Sequence, residues 1–226
     1  MIGNLNAFDP RTTLSANSPY NAIDNYATAV STKFRLEIEQ YHSMYSFNKA
    51  VASLNQYTNA HLSAFYFDTL KDRLYTDALD SPSRLSAQKT FHLQPQLTGK
   101  AQHIYASDWH ATRLQYVDHD QLQSWEPLMQ LRDTVNKSLE VARSQKLITA
   151  SLQASLRLSL PKSLTLPVPA SELANLFIVS DVQVDQSGKE LSVSVEKASG
   201  DKCPRCWTYT SQQPESLCAR CESVLS

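Results

Sequence analysis

The 226-residue chain is 42% hydrophobic and 19% charged, with a formal net charge of −1. That balance supports a real core and excludes both a disordered polyelectrolyte and nucleic-acid binding through bulk positive charge. No apolar run reaches the roughly 20 residues that span a bilayer, and the opening Met1-Ile-Gly-Asn-Leu has neither the basic nor the apolar region of a secretory signal, so a soluble, intracellular protein is expected. Glycine occurs only at Gly3, Gly99, Gly188 and Gly200. There is neither a GxGxxG fingerprint nor a P-loop, which argues against ATP or a dinucleotide held on a glycine-rich loop.

From Pro19 to Tyr45, the residues Ile23, Ala27, Val30, Phe34, Ile38 and Tyr41 recur at steps of three and four. They make the stripe of an amphipathic helix, opened by Ser18 as N-cap and Pro19 in the first turn. The spacing predicts a second long helix from Ser46 to Tyr75 with Phe47, Val51, Leu54, Tyr57, Phe65 and Leu70 on its buried face. Ser81-Pro82 opens a third, over Ser83–Thr90. Short connections predict that these helices pack as an antiparallel bundle. Residues 91–121 lack a sustained period and contain Pro95 and Gly99, so they read as an irregular linker.

Helical spacing resumes from Trp125 to about Gln145 on Leu128, Leu131, Val135, Leu139 and Ala142, with Arg132, Lys137, Arg143 and Lys146 on the polar face. The period then changes to two. Leu152 to Leu160, Phe177–Val182 and Leu191 to Val195 are candidate strands, Ala170–Asn175 a short helix, and Asp185-Gln-Ser-Gly188 a turn. The expected organisation is mainly α: a helical bundle with its linker over 1–121, a helix plus a small α+β unit over 122–200, and a cysteine-rich module over 201–226.

All four cysteines belong to that module, as Cys203-Pro-Arg-Cys206 and, eleven residues on, Cys218-Ala-Arg-Cys221. A two-residue spacer lets a tight turn aim both sulfurs at one ion, and two such turns form a tetrahedral four-thiolate site suited to Zn²⁺. With no open coordination position, the ion would be structural. So short a segment cannot bury a core, and bound metal would supply its folding energy. The spacer is expected to double back as a hairpin turning near Gln213-Pro214. Between Asp201 and Glu222, Lys202, Arg205 and Arg220 balance Asp201, Glu215 and Glu222, and four thiolates around Zn²⁺ add −2. Contact with nucleic acid would therefore need base stacking on Trp207 and individual guanidinium contacts from Arg205 or Arg220. Packing of Trp207 against the metal turn is the equal alternative.

The ending Lys202-Cys-Pro-Arg-Cys-Trp-Thr-Tyr-Thr210, with Leu217-Cys-Ala-Arg-Cys221, closely resembles the zinc module of bacterial-type and mitochondrial isoleucyl-tRNA synthetases. Further in-order likeness lies in Ser63-Ala-Phe-Tyr-Phe-Asp-Thr-Leu-Lys-Asp-Arg-Leu-Tyr75, in Ser86-Ala-Gln88, in Val135 to Arg143 with Lys146 to Ala154, and in Glu172 to Ser180. The resemblance is to the C-terminal part of these class I synthetases, the anticodon-binding domain plus zinc module. It implies a partner, isoleucine tRNA, whose anticodon stem-loop is held during aminoacylation, and it carries a base contact onto Trp207 and a basic position onto Lys146. Lys71, Arg73 and Arg143 fit phosphate contacts by charge, though a solvated helix face accounts for each equally simply.

Two departures qualify the likeness. The HIGH and KMSKS signatures of adenylate chemistry are absent. This chain alone is therefore expected to have no catalytic residue and to form no isoleucyl-adenylate, with ATP used only by a catalytic portion elsewhere. The passage from Thr90 to the Ile104–Trp109 region is also short, as though about one helix of the bundle were missing. A fragment or misjoined gene would explain both, and either cytosol or mitochondrion would suit. The alternative is a stand-alone zinc-knuckle module that binds nucleic acid or docks a protein outside aminoacylation.

Overall fold

The computed structural model describes residues 21–93, 118–188 and 190–225. The expected Ser18-Pro19 helix start and the stretch 94–117 lie outside them. Two compact units divide the chain, Met1–Leu122 and Gln123–Ser226. Mainly helical structure with a small sheet follows, as expected, and among the described residues no helix is long and apolar enough to cross a membrane.

In the first unit, α1 (Ala22–Ser43) is followed by α2 (Phe47–Gln56), which runs without a break through a π-helical segment, Tyr57–Tyr66, into α3 (Phe67–Thr76). Helix α4 (Pro82–Leu93) starts at the expected Ser81-Pro82, where the Leu85 N–H donates to the Ser81 carbonyl at 2.9 Å. The single stripe expected over 46–75 is corrected. Tyr57, Phe65 and Leu70 are buried, but Phe47, Val51 and Leu54 are exposed. A π turn holds more residues than an α turn, so some two π turns rotate the following helix by up to roughly half a turn relative to an α-helical count. Residues that α-spacing aligns therefore face opposite ways. Where the segment meets α1, Phe34 stacks on Tyr57 at 4.1 Å between ring centroids, the Tyr57 hydroxyl lies 2.6 Å from Ser31 Oγ, and Tyr26 meets Phe65 edge-on.

The polar centre of this unit is Asp24, fully buried on α1. Arg73 Nη1 donates to its Oδ1 at 3.0 Å and Nη2 to its Oδ2 at 2.6 Å, the Tyr66 hydroxyl donates to Oδ1 at 2.8 Å, and Ser86 Oγ donates to Oδ2. Arg73 Nε also donates to Ser83 Oγ at 3.0 Å, and Nη2 to the Ser83 carbonyl. One carboxylate thus joins α1, the π-helical segment, α3 and α4. Arg73, read from charge as a phosphate contact, is corrected: its side chain is 4% exposed and its guanidinium is consumed by this network.

The second unit contains most of α5 (His119–Ser144), whose Trp125, Leu128, Leu131, Val135, Leu139 and Ala142 are all buried, as their spacing predicts. A 3-10 turn, Ser151–Gln153, leads into β1 (Ala154–Pro161), then α6 (Ala170–Phe177), β2 (Asp181–Gly188) and β3 (Ser192–Lys197). The sheet order is β2-β1-β3, with β1 parallel to β2 across the α6 crossover and antiparallel to β3. Alternation in β1 buries Ala154, Leu156, Leu158 and Leu160. The strand expected at Phe177–Val182 is displaced: Phe177 closes α6, Ile178 adopts a left-handed φ of 58°, and pairing begins at Asp181. The expected turn at 185–188 is the end of β2, where the Ser187 N–H donates to Asp185 Oδ1.

Three helix ends share a device. Tyr45, Lys146 and Ile178 take left-handed φ values of 54°, 60° and 58° just past α1, α5 and α6. Each is followed by a residue whose N–H reaches back five positions, Ser46 to Tyr41, Leu147 to Ala142 and Val179 to Ala174. This is the Schellman closure, built here without its usual glycine.

Removing the Asp24 carboxylate leaves a buried guanidinium unpaired, so Asp24→Ala should destabilise the first unit by about 3–5 kcal/mol, read from denaturant unfolding of the full chain. Burial and then the Asp24 charge push the Tyr66 phenol well above its ordinary range. An unfolded tyrosine releases its proton near about pH 10 while the folded one keeps it, so this contribution is complete below that pH and is lost as pH rises through the folded value. The alkaline fall in stability should be shallower in Tyr66→Phe.

Candidate metal centre

The cysteine module begins at β4 (Asp201–Lys202), which pairs antiparallel with β5 (Tyr209–Ser211). The first cysteine pair occupies the turn between them, and the second opens α7 (Ala219–Leu225). The hairpin expected within 207–217 is thereby corrected: β5 pairs backwards, onto the strand preceding Cys203. Gly200 permits that approach, because a Cβ there would lie 2.7 Å from the Tyr209 carbonyl oxygen and 3.0 Å from that of Ser211. Neither is a flexible side chain that could give way.

The four sulfurs all lie within 4.8 Å of one another, with Cys206 and Cys218 3.6 Å apart. Four thiolates about 2.3 Å from a tetrahedral Zn²⁺ stand about 3.8 Å apart, so donor set and spacing fit one such ion. Cys203 and Cys221 are fully buried, and Leu217 packs on the cluster. Backbone hydrogen bonds shape the turn: the Cys203 N–H donates to the Thr208 carbonyl and the Trp207 N–H to the Cys203 carbonyl, both at 2.9 Å, and the Cys218 N–H points at Cys203 Sγ at 3.4 Å. Burial opposes ionisation of Cys203, but N–H donors from Cys206, Cys218 and Arg205 outweigh it and draw the thiol down to about 6. At Cys221 burial prevails and the thiol is pushed up to about 12, although Arg205 Nη1 donates to its sulfur at 3.6 Å. A cation that holds all four as thiolates answers that unequal demand.

The module is tied to the sheet beside it. Ser180 Oγ accepts the Tyr209 N–H at 2.6 Å and donates to the Leu152 carbonyl, while Gln153 Nε2 donates to the Tyr209 hydroxyl at 3.2 Å. These two joints carry no sequence signal of their own. Both lie in connecting turns, and their partners are dozens of residues away.

The structure sorts the candidate contact residues. Trp207 sits in the turn with a left-handed φ of 65° and is 61% exposed, so its indole is displayed rather than packed into the cage. Lys202 Nζ lies 5.5 Å from its ring centroid, a contact the sequence did not indicate. Arg205 leans on Cys221, and Arg220 stands exposed on α7. At the other end of this unit, Arg143 pairs with Glu140 and donates to Ser151 Oγ, and Lys146 is exposed at its left-handed position. Lys71, in the first unit, is exposed and pairs with Asp68 at 2.5 Å.

No family model matches the chain. Curated relatives do. The chain is 32% identical to the isoleucine–tRNA ligase of Kosmotoga olearia, and 31% identical to those of Syntrophotalea carbinolica and Thermotoga maritima, with all of this chain covered each time. It spans 28% of the length of these relatives. The Kosmotoga alignment runs over 265 positions, 39 more than this chain holds. The likeness expected from the sequence motifs thus extends along the whole chain.

Gly200→Ala should lower second-unit stability by about 1–3 kcal/mol, the usual cost of overpacking, seen as an earlier unfolding transition of the full chain. Lys146→Gly relieves a left-handed lysine and should raise stability by about 0.5–1 kcal/mol.

Proposed function

From a chain related along its whole length to a segment of isoleucine–tRNA ligases, we propose that it is the tRNA-binding C-terminal portion of such an enzyme, holding the anticodon stem-loop of isoleucine tRNA. The observation that carries this reading is an exposed indole, Trp207, presented by a four-cysteine cage at a backbone angle that bulky residues rarely adopt. Strain of that kind makes sense where the side chain must point outward.

Cys203, Cys206, Cys218 and Cys221 would hold one Zn²⁺, whose bonding supplies the folding free energy that so short a segment cannot draw from a core. The chain's own residues do the binding. Trp207 offers a flat face to an unpaired base, which RNA loops provide and duplexes do not. Arg205 and Arg220 approach the same strand from the cage, and Lys146 and Arg143 from the end of α5, contributing charge to phosphates that position without reading sequence. Arg143 and Lys71 each have a carboxylate partner to exchange for phosphate, so their contributions should be smaller. Adenylate formation and amino-acid transfer fall to another portion of the ligase, a further partner. The bare row of Phe47, Val51 and Leu54, together with the longer alignment of the relatives, supports reading the first unit as a bundle shortened by about one helix.

Metal analysis of the full chain should return one zinc per molecule, and chelation should abolish the module's protection from proteolysis. Fluorescence anisotropy with a labelled anticodon stem-loop of isoleucine tRNA should show salt-sensitive binding that Trp207→Ala weakens roughly 5- to 100-fold. Unchanged binding by that variant would remove the stacking role. Preference for duplex DNA over the stem-loop would instead favour the stand-alone zinc-knuckle module.

A further inference from the structure

The exposed basic side chains of the described residues divide by what they touch. Lys71, Arg143 and Arg157 each have a carboxylate within 4 Å, at Asp68, Glu140 and Glu196. Lys202 makes no ion pair among the described residues, and its ammonium lies over the Trp207 ring instead. The placement follows from the hairpin. Lys202 is the last residue of β4, paired with Tyr209 on β5, and the turn that displays Trp207 returns between these two strands. The same hydrogen bonds that close that turn, Cys203 to Thr208 and Trp207 to Cys203, fix where the ring stands relative to the lysine.

We propose that Lys202 is a positioning residue for RNA binding: its ammonium backs one side of the Trp207 indole and steadies the ring as a platform on which an unpaired nucleobase stacks from the open side. The proposal deepens the stacking reading above and rests on it. A cation over an aromatic face is attracted by the ring's quadrupole, and the attraction grows as solvent is excluded. A stacked base excludes solvent from the pair, so base and ammonium strengthen one another through the ring between them. The ammonium also adds positive potential beside the nucleotide's phosphates, in a module whose fixed charges otherwise cancel.

The test is a double-mutant cycle on the full chain, with the labelled anticodon stem-loop of isoleucine tRNA as probe. Lys202→Met should weaken binding about two- to five-fold, the range of an exposed cation–π pair, and Lys202→Arg should keep most of it. In a Trp207→Ala background, Lys202→Met should cost nothing further. Zinc content should be unchanged in every variant. Without RNA, the Trp207 emission, taken as the difference from Trp207→Phe, should change on Lys202→Met. An equal loss in both backgrounds, with the salt dependence reduced by about one phosphate contact, would make Lys202 a direct phosphate ligand and overturn the proposal. Loss of binding with Trp207→Ala but none with Lys202→Met would also overturn it while leaving the stacking reading intact. Unchanged binding with Trp207→Ala would sink the stacking reading itself.

Discussion

The last two dozen residues of this chain depend on one constraint, that four sulfurs come within bonding reach of a common point. Nothing else there could hold a fold. The strands are two and three residues long, the helix is seven, and the buried apolar material amounts to the cysteines and part of Leu217. From the sulfur positions the remainder follows. The first cysteine pair requires a tight turn, the turn requires β5 to return beside β4, and that return brings two backbones so close that residue 200 must be a glycine. The indole is displayed as a by-product of the same turn. Because Ser180 and Gln153 fasten Tyr209 to the sheet, the cage is part of the second unit rather than an appendage.

The first unit is organised around an opposite principle. There a single carboxylate, Asp24, gathers a guanidinium and two hydroxyls in a place without solvent. Tyr66, Arg73 and Ser86 all belong to the sequence segments that carry the family resemblance. Their role in this structure is architectural, since none faces outward. A motif that looks functional from its charge and aromatic content can thus be a description of how four helical segments are joined.

Much of this was legible in advance, and the reasons differ by element. Helix α5 and strand β1 each bury one face through their whole length, so a single period identifies both. The cysteine spacing is legible because metal geometry permits few solutions. The row Phe47, Val51 and Leu54 was misassigned because periodicity assumes one helical pitch, and the pitch changes at Tyr57. The Asp24–Arg73 pair was invisible because its members lie 49 residues apart, and neither local propensity nor charge says which of many cations a buried acid will choose. Phe177 was placed in a strand because a β-branched run follows it. Ile178 then turns left-handed, a state that intrinsic preference disfavours and that helix closure imposes.

The left-handed closures at Tyr45, Lys146 and Ile178 have a consequence for the disordered ensemble. A glycine at each site would relax the native backbone but would also multiply the conformations open to the denatured chain. With only four glycines in 226 residues, the denatured polypeptide is unusually stiff, and collapse gives up correspondingly less chain entropy. Strain at three helix ends in the native state is therefore the counterpart of restraint elsewhere, and the two offset each other in the folding equilibrium.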